Sequence, residues 1–350
     1  MDRPIELRSD NAAGVAPEIL AAVVAATEGS ALAYGGDEWT DRLQRRARDV
    51  FEHDRARVFP VVTGTAANAL ALSAMCPPWG AVLCHDTAHV LRSECGATSM
   101  FGGGAVLRGV PGPASKLWPA SLDAAFADTR WDDPHHSQPR VLSLTCPTDR
   151  GAVYTVAELA SVASTARERG LSVHLDGARL ANAVAALGCS PAELTWRAGV
   201  DVVSLGATKN GALSTDAIVS FDDRVSDELV YRTKRAGHVA SKMRFQSVQL
   251  DAYLTDRLWL RLAATANDAM TIIAAALREA QSRGAGVELL GEPDANMAFV
   301  RLPPGTAHRL EQAGVHCYEM GDDVVRLVTS FQTSERDARD AVQRIVTALG

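Results

Sequence analysis

The chain has 350 residues, 47% of them hydrophobic and 22% charged, an ordinary balance for a globular protein. Its formal net charge of -7 and pI near 5.7 give no reason to expect a nucleic-acid partner. No apolar run approaches the roughly 20 residues that span a bilayer, and Met1-Asp2-Arg3-Pro4-Ile5-Glu6 lacks the apolar region of a signal peptide, so no membrane association is expected.

The length suits one large and one small domain, or two of similar size. Cys76, Cys84, Cys95, Cys146, Cys189 and Cys317 show no CxxC spacing and read as reduced thiols of a cytoplasmic protein; no metal is implied.

Leu7-Arg8-Ser9-Asp10-Asn11 is a polar N-terminal arm, and Pro17 opens a helix through Ile19, Leu20, Val23 and Val24. After the loop Ala33-Tyr34-Gly35-Gly36-Asp37-Glu38, a second helix runs from Thr40 with Leu43, Ala47, Val50 and Phe51 at helical spacing. The apolar run 58–62 enters Thr63-Gly64-Thr65-Ala66-Ala67-Asn68 and then a helix. A strand, a small-residue turn and a helix N-terminus form an anion site, because free N–H groups and the helix dipole face the same point. Residues 81–84 read as a strand leading to His85-Asp86-Thr87-Ala88-His89. Gly and Pro clusters over 102–140 predict loops and a short helix at 122–126.

Residues 141–145 form another buried strand. Thr155 with Glu158 makes a capping box for a helix that Gly170 ends. Strands follow at 171–175, 200–205 and 217–221. Strands alternating with helices over 58–221 predict a mostly parallel sheet covered on both faces. Tyr231-Arg232-Thr233-Lys234-Arg235 and Lys242-Met243-Arg244 make a basic patch in an acidic chain. A long helix at 258–283 leads to a smaller α+β unit with strands at 297–302 and 324–328 and a last helix at 336–349. These features place a large domain at 1–255 and a small one at 256–350.

Two strand ends carry chemistry. His174-Leu175-Asp176 ends in an acid, and Ser204-Leu205-Gly206-Ala207-Thr208-Lys209 ends in a lysine among small residues. Pyridoxal phosphate needs a lysine for its aldehyde, a carboxylate for its pyridine nitrogen, a phosphate cup and a ring over one face. Lys209, Asp176, the Thr63–Asn68 turn and His89 supply these in an α/β chain. Each has a bland alternative: a surface lysine, a helix cap at Asp176, a satisfied polar histidine.

His174-Leu175-Asp176-Gly177-Ala178-Arg179-Leu180-Ala181-Asn182 and Gly206-Ala207-Thr208-Lys209-Asn210-Gly211 resemble the low-specificity L-threonine aldolases, within the fold-type I (aspartate aminotransferase-like) pyridoxal phosphate enzymes. Tyr34-Gly35-Gly36-Asp37, Thr63-Gly64-Thr65-Ala66-Ala67-Asn68 and the His89/Glu94 pair support it, and the resemblance runs from Leu7 to Phe331. Phenylserine aldolases have a similar pattern.

The resemblance implies cleavage of L-threonine, L-allo-threonine or related β-hydroxy-α-amino acids to glycine and an aldehyde, reversibly. It implies that Lys209 holds the cofactor aldehyde, Asp176 pairs with the pyridine nitrogen, and His89 stacks on the ring and serves as the base for the β-hydroxyl proton. Thr63, Gly64 and Thr65 then bind phosphate. Arg179, read as three residues along the same helical face from Asp176, lies near the phenolic oxygen and the substrate carboxylate. Ser9 and Arg326 hold that carboxylate. Tyr34, with Arg235 or Arg244, approaches from a second subunit of a homodimer or homotetramer. His135 contacts the substrate hydroxyl, with His136 beside it as the alternative.

Two departures bear on substrate range: Gly36 stands where relatives often carry an acid, and Cys146-Pro147-Thr148-Asp149-Arg150 replaces a Glu-Asn-Thr pattern. β-Elimination, racemisation and aminotransfer on the same scaffold are the alternative reactions, and a cofactor-free binding protein is the more distant one.

Overall fold

The structure is a computed structural model that describes residues 3–349. Seven strands form the central sheet in the spatial order Arg57–Val61, Asp216–Ser220, Val202–Leu205, Ser172–Gly177, Gln138–Thr145, Gly80–His85, Val106–Val110. Only Asp216–Ser220 runs against its neighbours; the other pairings are parallel. The predicted mostly parallel sheet is therefore present. Its inner strands read as unbroken apolar runs because both faces are buried.

The Val106–Val110 strand is a correction, because that region reads as loop in the sequence. It is an edge strand, half exposed and flanked by Gly103, Gly104, Pro111 and Gly112, so it lacks the apolar run of its neighbours. The helix Asp223–Arg235 was also missed. Asp222 caps it, and Val225, Leu229 and Thr233 recur at helical spacing on its buried face. The basic run Tyr231–Arg235 is the last turn of this helix, where cations complement the helix dipole.

The helix of 258–282 is as predicted and its buried face carries Trp259, Ala263, Met270, Ile273 and Leu277. Together with Arg244–Leu254 it forms a stretch long and apolar enough to cross a membrane. Asp256 and Arg257, both left-handed (φ 49° and 57°), break that stretch in two, and it packs within the protein core. Beyond it, Tyr318–Glu319, Val324–Val328, Met297–Arg301 and Glu288–Leu289 form an antiparallel sheet in that spatial order. The N-terminal arm joins this C-terminal unit: Ile5 pairs with Val315 in parallel, and Ile5 and Leu7 lie in the same core as Ile273, Val300 and Ile345.

Candidate active site

The carboxyl ends of the parallel strands open into a cavity of about 260 Å³. Ser172–Gly177 and Val202–Leu205 deliver Asp176 and Lys209 to it. Asp176 and Ser204 sit side by side across the ladder, and the two chains continue past it in near contact. A side chain at Gly206 would run into the Ala178 backbone, and one at Gly177 would meet the Ser204 carbonyl. These two glycines let the acid-bearing and lysine-bearing turns close on each other. His174 steadies the strand from inside. Its ring bridges the Ser143 and Ser204 hydroxyls at 2.9 and 3.0 Å, and full burial pushes its pKa down to about 4, so it stays neutral.

Asp176 is buried, and both of its oxygens have partners. Oδ1 accepts from the Ala178 N–H at 3.1 Å, and Oδ2 accepts from Asn68 Nδ2 at 2.9 Å. The same Asn68 nitrogen donates to Glu94 Oε1 at 2.8 Å, and that oxygen lies 2.9 Å from His89 Nδ1. Asp176, Asn68, Glu94 and His89 thus form one continuous chain. The hydrogen bond to Glu94 raises the His89 pKa, so its ring holds its proton more strongly. The sequence named Glu94 only as a companion of His89 and gave Asn68 no role of its own.

Lys209 follows the Val202–Leu205 strand in a short 3₁₀ turn, Thr208–Asn210. Asp216, on the reversed neighbouring strand, accepts from the Ala207 and Thr208 N–H groups at 2.8 and 3.0 Å and so fixes the turn. Burial, and then the nearby Arg179, lower the Lys209 pKa, which favours the neutral, nucleophilic amine.

Arg179 forms a two-pronged ion pair with Asp10 at 2.6 and 2.9 Å. The expectation of a shared helical face with Asp176 is corrected. Asp176 is still in the strand, the helix begins only at Leu180, and Arg179 is its N-cap residue. The two meet because the chain turns sharply between them. Burial opposes ionisation of Asp10, but Arg179, Lys209 and Asn296 outweigh it and hold the carboxyl below the usual range.

The helix Gly64–Met75 points its N-terminus into the cavity. Thr63 caps it, its Oγ1 accepting from the Ala66 N–H at 3.1 Å. Thr63, Gly64, Thr65, Asn68, His89, Asp176, Arg179 and Lys209 all line the one cavity, with Asn11, Asp149 and Thr208 beside them. Ser9 and Arg326 do not line it. Ser9 Oγ accepts from the Asn11 N–H at 3.2 Å, and Arg326 donates to the Arg8 carbonyl while its Nε has no partner among the described residues.

The remaining expected residues are not brought to this cavity by the single chain. Tyr34 is exposed under the Lys234 ammonium, 4.4 Å from its ring centre. Arg235 lines a separate groove with Met100 and Tyr231, and Arg244 donates to the Ala26 carbonyl. His135 and His136 are exposed in a surface turn organised by Asp133.

Residues 6–342 match the beta-eliminating lyase family. The chain belongs to that family. It is 39% identical to the low specificity L-threonine aldolase of Pseudomonas sp. (strain NCIMB 10558), over 97% of this chain and 96% of that one. Identity is again 39% to the low specificity L-threonine aldolase of Pseudomonas aeruginosa, over 100% of this chain and 99% of that one. Among solved structures, the Leishmania major threonine aldolase superposes with a TM-score of 0.90 at 25% identity, covering 99% of this chain and 100% of that chain. The chain has the aminotransferase-like, fold-type I architecture and is a pyridoxal phosphate-dependent lyase of the threonine aldolase type.

Proposed function

We propose that this chain binds pyridoxal phosphate and cleaves L-threonine, L-allo-threonine and related β-hydroxy-α-amino acids such as phenylserine, reversibly, to glycine and an aldehyde. The observation that carries the reading is the convergence of Lys209, Asp176, His89, Arg179 and a helix N-terminus on one cavity. Relatives named low specificity L-threonine aldolase over their full length support it.

The cavity suits the cofactor. Thr208 Oγ1, Asn68 Oδ1 and Glu94 Oε2 are buried at its edge with no partner among the described residues, a costly state that a polar ligand relieves. At Gly64, a side chain's first carbon would have only Asp216 Oδ2 nearby, at 3.9 Å, so the helix N-terminus is open to a phosphate. When bound, the cofactor supplies an electrophilic carbon for the amino group and a cationic ring that draws electrons from the bond to be broken.

The protein's own groups do the rest. Lys209 presents an amine whose pKa burial lowers, and Asp176 places a buried carboxylate for the pyridine nitrogen. Thr63, Gly64 and Thr65 hold the phosphate. Arg179, fixed by Asp10, presents a guanidinium to the phenolic oxygen and the substrate carboxylate, and Ser9 and Arg326 complete that clamp. His89 covers the ring, fixed in place by Glu94.

Large and small domains at 1–255 and 256–350 belong to the same proposal; one hydrophobic core lies mainly in the first and another mainly in the second, with Ile5 and Leu7 of the N-terminal arm joining the second and residues 258–260 the first. So does a homodimer or homotetramer in which Tyr34, with Arg235 or Arg244, and His135 or His136 reach a neighbour's cavity. The exposure of Tyr34, Arg235, His135 and His136 in the single chain supports this, while Arg244 is half-buried. Six free thiols are consistent with a cytoplasmic location.

The test is spectroscopic. The purified enzyme should show a visible absorption band that borohydride bleaches, and Lys209→Ala should lose both band and turnover. Normal turnover in that variant would contradict the assignment.

A further inference from the structure

The segment that departs most from the family pattern places a carboxylate in the cavity that none of the roles above uses. Asp149 lines the cavity together with His89, Asp176 and Arg179. It sits on a tight turn after the Gln138–Thr145 strand. In that turn the Thr148 N–H donates to the Ala152 carbonyl at 2.8 Å and the Gly151 N–H to the Thr148 carbonyl at 2.8 Å. The Thr148 hydroxyl donates to the Ala114 carbonyl at 3.1 Å, which ties the turn to a second loop. A side chain at Gly151 (φ 85°) would press on the Met297 carbonyl at 3.0 Å, so the turn is also packed against the C-terminal unit. Asp149 is therefore held on a rigid support, and its carboxylate has neither an ion-pair nor a side-chain partner among the described residues.

His89 already has its Nδ1 engaged by the Glu94 carboxylate at 2.9 Å, a contact that raises its pKa, whereas the Asp149 carboxylate faces the same cavity without such a side-chain partner among the described residues. We propose that Asp149 is the group that recognises the β-hydroxyl and takes its proton during Cα–Cβ cleavage, directly or through one water. The proposal rests on the aldolase reading above and names its proton acceptor.

In the step, the hydroxyl O–H bond breaks and its electron pair becomes the second bond of the aldehyde carbonyl. The Cα–Cβ pair stays with the glycine half, and the proton goes to the Asp149 carboxylate. A proton is later taken up at Cα and Asp149 returns its own to solvent, so the cycle closes. The reverse reaction uses protonated Asp149 as the acid that quenches the alkoxide.

The electrostatics agree with this role. Burial, then Asp176, push the Asp149 carboxyl up to about 6, with His89 and Arg179 opposing. Arg326 and the buried Cys84 thiol also feel its charge. Such a carboxyl is ionised at neutral pH, yet more basic than an ordinary aspartate.

The experiment compares Asp149→Asn and Asp149→Glu with the unaltered holoenzyme. Three readouts are taken: aldehyde release from L-threonine, exchange of the glycine α-proton in D₂O, and binding of L-2-aminobutyrate followed by the cofactor spectrum. Glycine exchange uses every other group in the site but no β-hydroxyl, and L-2-aminobutyrate is threonine without its hydroxyl. The expected result for Asp149→Asn is a loss of cleavage of about 100-fold or more. Exchange and analogue binding should stay within about threefold, and Asp149→Glu should recover part of the cleavage. Equal loss of cleavage and exchange would show a merely structural role and overturn the proposal, as would full cleavage by Asp149→Asn. Failure of the unaltered enzyme to cleave any β-hydroxy-α-amino acid would instead sink the aldolase reading, and this proposal with it.

Discussion

Arg179 and Asp10, 169 residues apart in sequence, form a two-pronged, almost fully buried ion pair at the mouth of the cavity. The pair ties the N-terminal arm to the turn that follows Asp176, and Asn296 of the C-terminal unit donates to the same carboxylate at 3.1 Å. One acid thus joins three parts of the chain beside the cavity that Arg179 lines.

Replacing Asp10 by Ala leaves a buried guanidinium without its counter-charge. Removal of one partner from such a pair costs about 3–5 kcal/mol. Urea unfolding of the cofactor-free protein should show a loss of that order at pH 7. Because the folded-state pKa of Asp10 is lowered, its contribution is present above the unfolded value near 3.9 and is lost as pH falls through the folded value. The gap between the two proteins should therefore narrow below about pH 4. A gap that widened on acidification would contradict this pairing.

Glu94 sets the protonation of His89. Glu94→Gln keeps the shape and removes the charge, so the His89 ring should titrate at lower pH, as read from its imidazole NMR signals. In folding terms a raised histidine pKa stabilises the protein below the unfolded value near 6.5, and that stabilisation is lost as pH rises through the folded value. The cost of Glu94→Gln attributable to His89 should accordingly shrink in alkaline buffer. An unchanged His89 titration would show that the pair does not couple.

Thr208 offers a test of cofactor contact separable from stability. Its hydroxyl is buried and makes no hydrogen bond among the described residues, so removing it breaks none of those. Thr208→Ala should weaken pyridoxal phosphate binding by about tenfold or more, the worth of a hydrogen bond to a charged group. The unfolding midpoint of the cofactor-free protein should change little, and Thr208→Ser should restore affinity. Equal affinity in all three proteins would remove Thr208 from the cofactor site.

How far the chain could be read in advance depended on the range of the interactions. Asp176 and Lys209 were legible because buried parallel strands appear as apolar runs, and the polar residues that close or follow such a run lie at the sheet's carboxyl edge, where ligands bind. The Thr155/Glu158 capping box was legible because it is local, and it is present. The Thr63 cap was missed: Thr63–Asn68 reads as a turn before the helix, whereas the helix already begins at Gly64. Asp10 as the partner of Arg179, and Asn68 as the link between Asp176 and Glu94, join residues 169, 108 and 26 positions apart, and no local pattern announces them. Asp149 was visible only as a departure from a family pattern. The Asp223–Arg235 helix did carry a signal, an Asp cap followed by Val225 and Leu229, which the eye-catching basic run at its end obscured.

The shared-site proposal is checked by mixing subunits. Lys209→Ala and Arg235→Ala should each be impaired alone. After joint unfolding and reassembly, mixed oligomers should recover activity, because one cavity then holds both an intact Lys209 and an intact partner arginine. No recovery, with mixed oligomers demonstrated by mass, would place Arg235 outside a shared site.

The most direct test of the central claim is the product balance from L-threonine with the purified, cofactor-loaded enzyme. Retro-aldol cleavage predicts glycine and acetaldehyde in equal amounts, with no ammonia released. Ammonia with a 2-keto acid, or a keto acid with the cofactor converted to its amine form, would contradict the account and assign the site to elimination or aminotransfer.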